Sequence, residues 1–425
     1  MAAKQLSRFD LLCLGVNAII GSGIYLLPGV LAGLLGPASL LAFAICGVIS
    51  LLIALCFAEL AGRFDRSGGP YLYARKAFGP SWGYVVGWTC WSAAVISWAA
   101  VTRGMVSHLG HLVPLFKSPM VAQAVALSTI AGLAAINYRG VKPGALTTDG
   151  LTIAKLLPLA ALLLAGLARL DPSRLTPFTP HGVSSLPKAT FIAFFAYQGF
   201  EVVPVPAGES ANARRDAPFA VITSILVATL LYLALQAAAI GTTPDLAGAQ
   251  DPLARMAAVL FGSVGGNLVA IAATISMLGF SAGVALAGPR YLQPLADDGF
   301  LPSTLTKLHP RFKTPHVAII VTAAASALLA LLLDFSRLVN LSVLFVAMQY
   351  LSATLALPVL RKRQGPAQGF RVPGAAAVAP LATVAVLVVL WAGVSAEGSL
   401  RMAATFAGLI LVGLVLWWGS RRLAG

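Results

Sequence analysis

Charged side chains are scarce in this sequence. Only 10% of its 425 residues are Asp, Glu, Lys or Arg, 58% are hydrophobic, and the mean hydropathy is +0.87. Soluble globular domains carry about 25% charged residues. Apolar stretches of about 20 residues, long enough to cross a bilayer, recur from Leu11 almost to the carboxyl end. The composition excludes a soluble enzyme with a single anchor and predicts an all-α polytopic membrane protein.

Cysteine and histidine are also few, and neither is arranged for metal or redox chemistry. The cysteines lie inside apolar stretches without a close pair, and the histidines lie at span ends or in loops without HExxH-type spacing. They are Cys13, Cys46, Cys56 and Cys90, and His108, His111, His181, His309 and His316. We therefore expect no metal, no other cofactor and no enzymatic activity.

Acidic residues are outnumbered by basic ones, 14 to 29, which gives a formal net charge of +15. The basic residues are scattered among short loops rather than gathered on one face, so we interpret them as a positive-inside signal and not as a nucleic-acid surface. Twenty of the 29 would lie on one side of the membrane if the spans alternate. This distribution predicts an even number of spans, with both termini on the cytoplasmic side of the inner (plasma) membrane.

Apolar windows between polar or Pro/Gly-rich breaks predict about twelve transmembrane helices. We place them near 10–34, 38–62, 82–108, 119–137, 145–168, 188–207, 217–240, 258–288, 315–333, 338–360, 375–395 and 402–420. No loop is long enough to fold as a separate soluble domain. Residues 1–425 are thus expected to form a single membrane domain.

The first predicted span contains a break at its middle. Residues 9–20 and 24–35 could each form a helix of about 18 Å, too short to cross alone, and Gly21-Ser22-Gly23 separates them. Two glycines around a serine lower the cost of unwinding and leave backbone groups facing their surroundings. At membrane depth such groups are tolerated only beside a cavity or inside protein.

The sixth predicted span has a second candidate break, at Gly199, which is followed by Pro204 and Pro206. Broken first and sixth spans stand at equivalent positions if the chain holds two repeats of five helices, and such a pairing indicates a binding site. The exposed amides of Ser22, Gly23 and Ile24 suit a carboxylate, and the carbonyls of Ala18, Ile19 and Ile20 suit an ammonium group. A zwitterion fits both.

Four stretches resemble the amino acid, polyamine and organocation transporter superfamily. Gly15 to Pro28 is similar to its first-helix signature, and Phe57 to Trp88 contains its Glu, Gly-Gly-Pro-Tyr and Phe-Gly pattern. Phe194 to Pro218 is similar to its sixth helix and following loop, and Arg290 to Pro302 contains its Asp-Gly-x-x-Pro pattern. The resemblance implies the five-plus-five inverted repeat of sodium-coupled leucine transport, with repeats near 9–170 and 185–360 and two further helices near 375–420.

The resemblance also implies roles for residues. The carboxylate of the substrate would rest on Gly21, Ser22 and Gly23. The amine of the substrate would rest on carbonyls of the first break and of the turn at the break in the sixth span. In that turn, the resemblance implies a gating aromatic at Phe195 and further substrate-binding residues at Ala196, Gln198 and Gly199. Gln198 departs from the family, which commonly has a smaller or apolar residue there. Glu201 is either a coupling or gating carboxylate or a satisfied structural partner.

Lys155 is the one basic residue near the middle of a predicted span, at a depth where a charge is expensive and usually functional. Some superfamily members have a lysine on the fifth helix whose ammonium group takes the place of a sodium ion. Lys155 matches that position, and the resemblance implies contacts to the carbonyls near Ala18 and Ile19 and to the hydroxyl of Ser281.

These features together predict a secondary active transporter of neutral, apolar or small L-amino acids, working by alternating access without sodium. Proton coupling and amino acid exchange both stay open. Other candidate functions are a cationic amino acid or polyamine antiporter and a non-transporting sensor; no carbonyl filter or acidic ring favours a channel. The expected partners are the amino acid and the bilayer, with the protein a monomer or weak homodimer.

Overall fold

The computed structural model describes residues 5–249, 251–395, 407–411 and 413–415. These residues form α-helices joined by short turns, and no β-strand occurs among them. The bounded helices are α1 (Arg8–Ile19), α2 (Gly23–Leu35), α3 (Ser39–Ala61), α4 (Pro70–Phe78), α5 (Pro80–Leu112), α6 (Pro119–Tyr138), α7 (Val141–Ala168), α8 (Leu186–Phe194), α9 (Ala213–Thr242), α10 (Pro252–Ala287), α11 (Pro289–Asp297), α12 (His316–Leu332), α13 (Phe335–Gln364) and α14 (Ala375–Ser395).

A multi-pass membrane protein is confirmed by the length and hydropathy of these helices. Within the described ranges, seven helical stretches are long and apolar enough to cross a bilayer, the first running from Arg8 to Ala61. The helix α12 and residues 375–391 of α14 are apolar but shorter. Most of the predicted span 402–420 lies outside the described residues. The number twelve and the inverted repeat stay predictions.

The residues around the first helix explain where it begins and where it ends. Ser7 and Asp10 form a capping box, in which the Ser7 hydroxyl accepts from the Asp10 amide at 3.2 Å and the Asp10 carboxylate accepts from the Ser7 amide at 2.6 Å. The helix stops at Ile19, and α2 restarts at Gly23. The break thus lies where the Gly-Ser-Gly motif predicts it.

The sixth predicted span, 188–207, is an α-helix only in its first half. The helix α8 ends at Phe194, and 3-10 turns follow at 195–197, 200–202 and 207–209. Gly199 has φ +129°, which is unfavourable for residues with a Cβ. Pro204 and Pro206 cannot donate helical hydrogen bonds, so the α-helix does not resume beyond the break.

The first span lies at the centre of the bundle. Nine of the twelve residues of α1 are buried, compared with four of twenty in α6 at the periphery. The helix α1 packs against α7, α9 and α10, and α2 packs against α8 and α10. This arrangement encloses the interrupted backbone in protein, as a break at membrane depth requires.

Ion pairs tie helices together at the end of the bundle where α3 meets the following loop. Glu59 accepts hydrogen bonds from Arg361 of α13 and, at 3.0 Å, from Arg63. Glu209 accepts from Arg290 of α11 at 2.6 Å, and their side chains are only 5% and 1% exposed. A pair this deeply buried makes each charge depend on the other.

We expect Glu209→Gln to lower the thermal unfolding midpoint of the detergent-solubilised protein. The substitution leaves the Arg290 guanidinium buried without a counter-charge, which costs about 3–5 kcal/mol. The matched control is Asp65→Asn, since the Asp65–Arg214 pair is exposed on both sides (67% and 51%) and should contribute little. The midpoints are followed by size-exclusion chromatography after heating. Equal midpoints for the two variants would contradict a stabilising role for the Glu209–Arg290 pair.

Candidate functional site

The carbonyl groups of the unwound first span are held from two other helices. Lys155 of α7 donates from Nζ to the carbonyl of Asn17 at 2.8 Å and to that of Ile20 at 2.5 Å. Ser276 of α10 donates to the carbonyls of Ile20 at 3.0 Å and Gly21 at 3.1 Å. Each of these oxygens has lost its helical donor, so the two side chains replace the missing hydrogen bonds.

Lys155 contacts backbone carbonyls near Ala18 and Ile19, as the resemblance implies, but the serine that shares these carbonyls is not Ser281. Its side chain is 0% exposed and reaches the carbonyls of Asn17 and Ile20, which flank Ala18 and Ile19. The Ser281 hydroxyl is not hydrogen bonded to Lys155 and lies 3.5 Å from the Thr102 hydroxyl instead. Ser276 and Ser281 are five residues apart on α10, so they point about 140° away from each other. Ser276 is the serine that faces the break.

The two breaks touch each other. A Cβ at Gly199 would lie 2.4 Å from the carbonyl carbon of Ala18, and a Cβ at Gly23 would lie 2.7 Å from the Cβ of Ala196. Contacts this short leave no room for a side chain at either position. Each break therefore needs its glycine so that the other can approach.

Glu201 holds the sixth-span turn in shape. Its Oε2 accepts hydrogen bonds from the Gly199 amide at 2.8 Å and from the Tyr350 hydroxyl of α13 at 2.7 Å. The side chain is 5% exposed. Glu201 thus has one partner in its own turn and one on α13, which joins the break to that helix.

Tyr232 of α9 is a site residue that sequence reasoning missed. Its hydroxyl lies 2.9 Å from the Ile19 carbonyl and 3.0 Å from the Ala196 carbonyl, so one group serves both breaks. A hydroxyl carries a single proton and donates to these oxygens in turn or in a shared geometry. The signal available in the sequence was a tyrosine within an apolar span, since a buried phenol needs a partner.

A cavity of about 70 Å³ lies beside the breaks, and residues of α5, α10 and α13 form the rest of its lining. Its wall includes nine of the ten predicted substrate-binding residues: Ala18, Ile19, Gly21, Ser22, Gly23, Phe195, Ala196, Gln198 and Gly199. Ile20 does not line it, because its side chain is fully buried and its carbonyl is taken by Lys155 and Ser276. Glu201 reaches the wall, whereas Lys155 and Ser281 lie behind it.

The cavity wall is almost free of charge. Among its described residues, Glu201 is the one Asp, Glu, Lys, Arg or His. Small and apolar residues of α5 form part of the wall, and Ser97 and Ser342 hydrogen bond to each other at 2.6 Å. The described part of the chain contains no group of three or more potential metal ligands. The site can therefore hold a small neutral or zwitterionic molecule by backbone groups.

A protein-family model described as amino acid permease matches residues 6–416. The chain belongs to this family. The resemblance found in the four sequence stretches is thereby confirmed, and the family and its relatives are transporters, not enzymes.

Curated relatives of this permease cover most of its length. It is 29% identical to the branched-chain amino acid permease BcaP of Bacillus subtilis, over 89% of this chain and 86% of the relative. It is 27% identical to the serine/threonine exchanger SteT of the same organism, over 87% and 86%. It is also 29% identical to human cationic amino acid transporter 4, over 89% of this chain and 62% of the relative.

We expect Gly23→Val to abolish substrate binding while leaving membrane insertion intact. Even the Cβ of an alanine there would collide with Ala196, and overpacking of this kind costs about 1–3 kcal/mol. Gly21→Ala is the matched comparison, because a Cβ at Gly21 meets only Phe280, at an ordinary 3.6 Å. Binding by purified protein should weaken in the order Gly21→Ala, Gly23→Ala, Gly23→Val. Normal transport by Gly23→Val would remove the basis for a binding site at the break.

Proposed function

We propose that this permease is a secondary active transporter of neutral L-amino acids that works by alternating access and does not need sodium. The observation that carries the proposal is the contact of the Lys155 ammonium group with the carbonyls of Asn17 and Ile20. These oxygens belong to the unwound turn beside the cavity. A positive charge held there by protein serves the purpose for which a bound cation would otherwise be needed.

The substrate's zwitterion is expected to bind across the first break. The amides of Ser22, Gly23 and Ile24 lie at the start of α2, where helical N–H groups have no partner within the helix and attract anions. The carbonyls of Ala18, Ile19 and Ala196 face the amine. Phe195 lines the same cavity and is proposed to close over the bound molecule.

Alternating access requires that the first span change its position relative to the bundle. Lys155 and Ser276 anchor its turn to α7 and α10, while Tyr232 anchors it to α9. Proton coupling and exchange are both compatible with this anchor.

We propose two five-helix repeats, near 9–170 and 185–360, around these contacts, and both termini on the cytoplasmic side of the inner membrane.

A neutral side chain is favoured because the described residues of the cavity wall include no free counter-charge. Glu201, the carboxylate on the wall, already accepts from the Gly199 amide and the Tyr350 hydroxyl. A lysine or arginine side chain would bury a charge without a dedicated partner, which is costly. Cationic amino acid or polyamine exchange is therefore the alternative, and a sensor that binds without transport is another.

Competition in proteoliposomes separates these possibilities. Unlabelled alanine, leucine or phenylalanine should reduce the uptake of radiolabelled neutral amino acid, whereas a matched concentration of arginine should leave it nearly unchanged. The reason is the missing counter-charge in the cavity. Inhibition by arginine alone would favour the cationic alternative, and binding of amino acid without saturable flux would favour the sensor.

Replacement of Lys155 tests the coupling proposal. Lys155→Ala should lose most turnover in sodium-free choline medium, because the freed turn is misplaced and an error of about 1 Å can cost about 100-fold. Lys188→Ala is the control, since Lys188 is exposed outside the site. Uptake should be measured with and without a proton gradient or internal amino acid. A strict sodium requirement, or full activity in Lys155→Ala, would discard the mechanism.

A further inference from the structure

Two glutamine side chains on the cavity wall have buried polar atoms with no hydrogen-bond partner among the described residues. They are Nε2 of Gln198, beside the sixth-span break, and Oε1 of Gln349, on α13. Gln349 is only 1% exposed. A buried amide that lacks its hydrogen bonds is unfavourable, so groups of this kind generally have a partner when the protein performs its function.

Gln349 faces the cavity because of its register on α13. The residues of this helix on the wall are Phe335, Val339, Ser342, Val346 and Gln349, spaced by four and three residues along one face. Ser342 is already bonded to Ser97, so its hydroxyl has a partner within the protein. Gln349 is the polar member of this face whose acceptor remains open.

Contacts within the protein join the two backbone segments that carry these glutamines, and both side chains line the same cavity. Tyr350, next to Gln349, donates to Glu201, and the same oxygen of Glu201 accepts from the amide of Gly199, next to Gln198. The break and α13 are therefore joined at residues that adjoin both glutamines in sequence. A ligand at this level can meet the two side chains together.

The chemistry of the two open atoms selects their partner. One is a donor and the other an acceptor, and exchanging N and O in both amides leaves the same complementary pair. A primary carboxamide offers an acceptor oxygen and two N–H donors. An aliphatic side chain offers neither, a carboxylate lacks the donor and an ammonium group lacks the acceptor. A hydroxyl must donate and accept through a single oxygen, whereas a carboxamide does so through two separate atoms, as the two glutamines require.

We propose that Gln198 and Gln349 form a side-chain subsite that selects L-amino acids with a carboxamide, namely asparagine and glutamine. The inference rests on the proposed function and narrows its substrate class. Gln349 accepts from the substrate N–H group, and Gln198 donates to the substrate oxygen. The small side chains of Ala93, Ala94 and Ala100 of α5 also line this cavity.

The test is competition against uptake of radiolabelled alanine by the full-length protein in proteoliposomes. Asparagine and leucine have nearly the same shape, as do glutamine and glutamate, so each pair isolates the carboxamide. The better of asparagine and glutamine should inhibit at about 10-fold lower concentration than leucine or glutamate, as expected for two added neutral hydrogen bonds. In Gln349→Leu this ratio should fall to about one or reverse, because the acceptor is replaced by an apolar group.

Gln123→Leu is the matched control, since Gln123 is exposed on α6 outside the cavity, and it should keep the wild-type ratio. Gln198→Leu is a second variant that tests the subsite even where Gln349→Leu does not fold. The inference is overturned if leucine and both carboxamides inhibit the wild type equally, or if the ratio is unchanged in either folded subsite variant. Saturable alanine uptake would in that case leave the proposed function intact. No saturable uptake of alanine, leucine, asparagine or glutamine overturns the proposed function itself.

Discussion

The contact between the Lys155 ammonium group and the carbonyls of Asn17 and Ile20 is the interaction around which the site is organised. An unwound turn inside a membrane protein exposes carbonyl oxygens that water cannot reach. An ammonium group supplies several donors at once together with a positive charge. The carbonyl oxygens thus solvate the positive charge of Lys155, and the ammonium group supplies the hydrogen-bond donors that these oxygens lack.

The other contacts of the site hold further backbone groups of the two breaks in place. Ser276 and Tyr232 provide hydroxyl donors to further carbonyls of the breaks, so α7, α9 and α10 all hold the same short segment. Gly23 and Gly199 allow the breaks to approach within contact distance. The result is a fixed stretch of backbone whose amides and carbonyls face a cavity with little charge, a surface well suited to a zwitterion.

Charge is handled differently at the end of the bundle. Glu59 and Glu209 are paired with arginines from distant helices, and these pairs join α3 to α13 and the sixth-span turn to α11. Glu201, deeper in the protein, has hydrogen-bond donors but no basic partner among the described residues. Paired charges therefore fasten the helix ends, whereas the centre relies on hydrogen bonds, which can be exchanged at lower cost during a conformational change.

The sequence by itself determined the membrane character, the family, the position of both breaks and the burial of Lys155. These properties follow from local chemistry: apolar length, Gly-Ser-Gly in mid-span, proline after Gly199, and one lysine in an apolar stretch. Only the tertiary structure decided that Ser276 rather than Ser281 faces the break, that Lys155 binds Asn17 and Ile20, and that Tyr232 and Gln349 belong to the site. Those choices depend on how each helix is rotated and packed against its neighbours, and a rotation of one residue turns a side chain by about 100°.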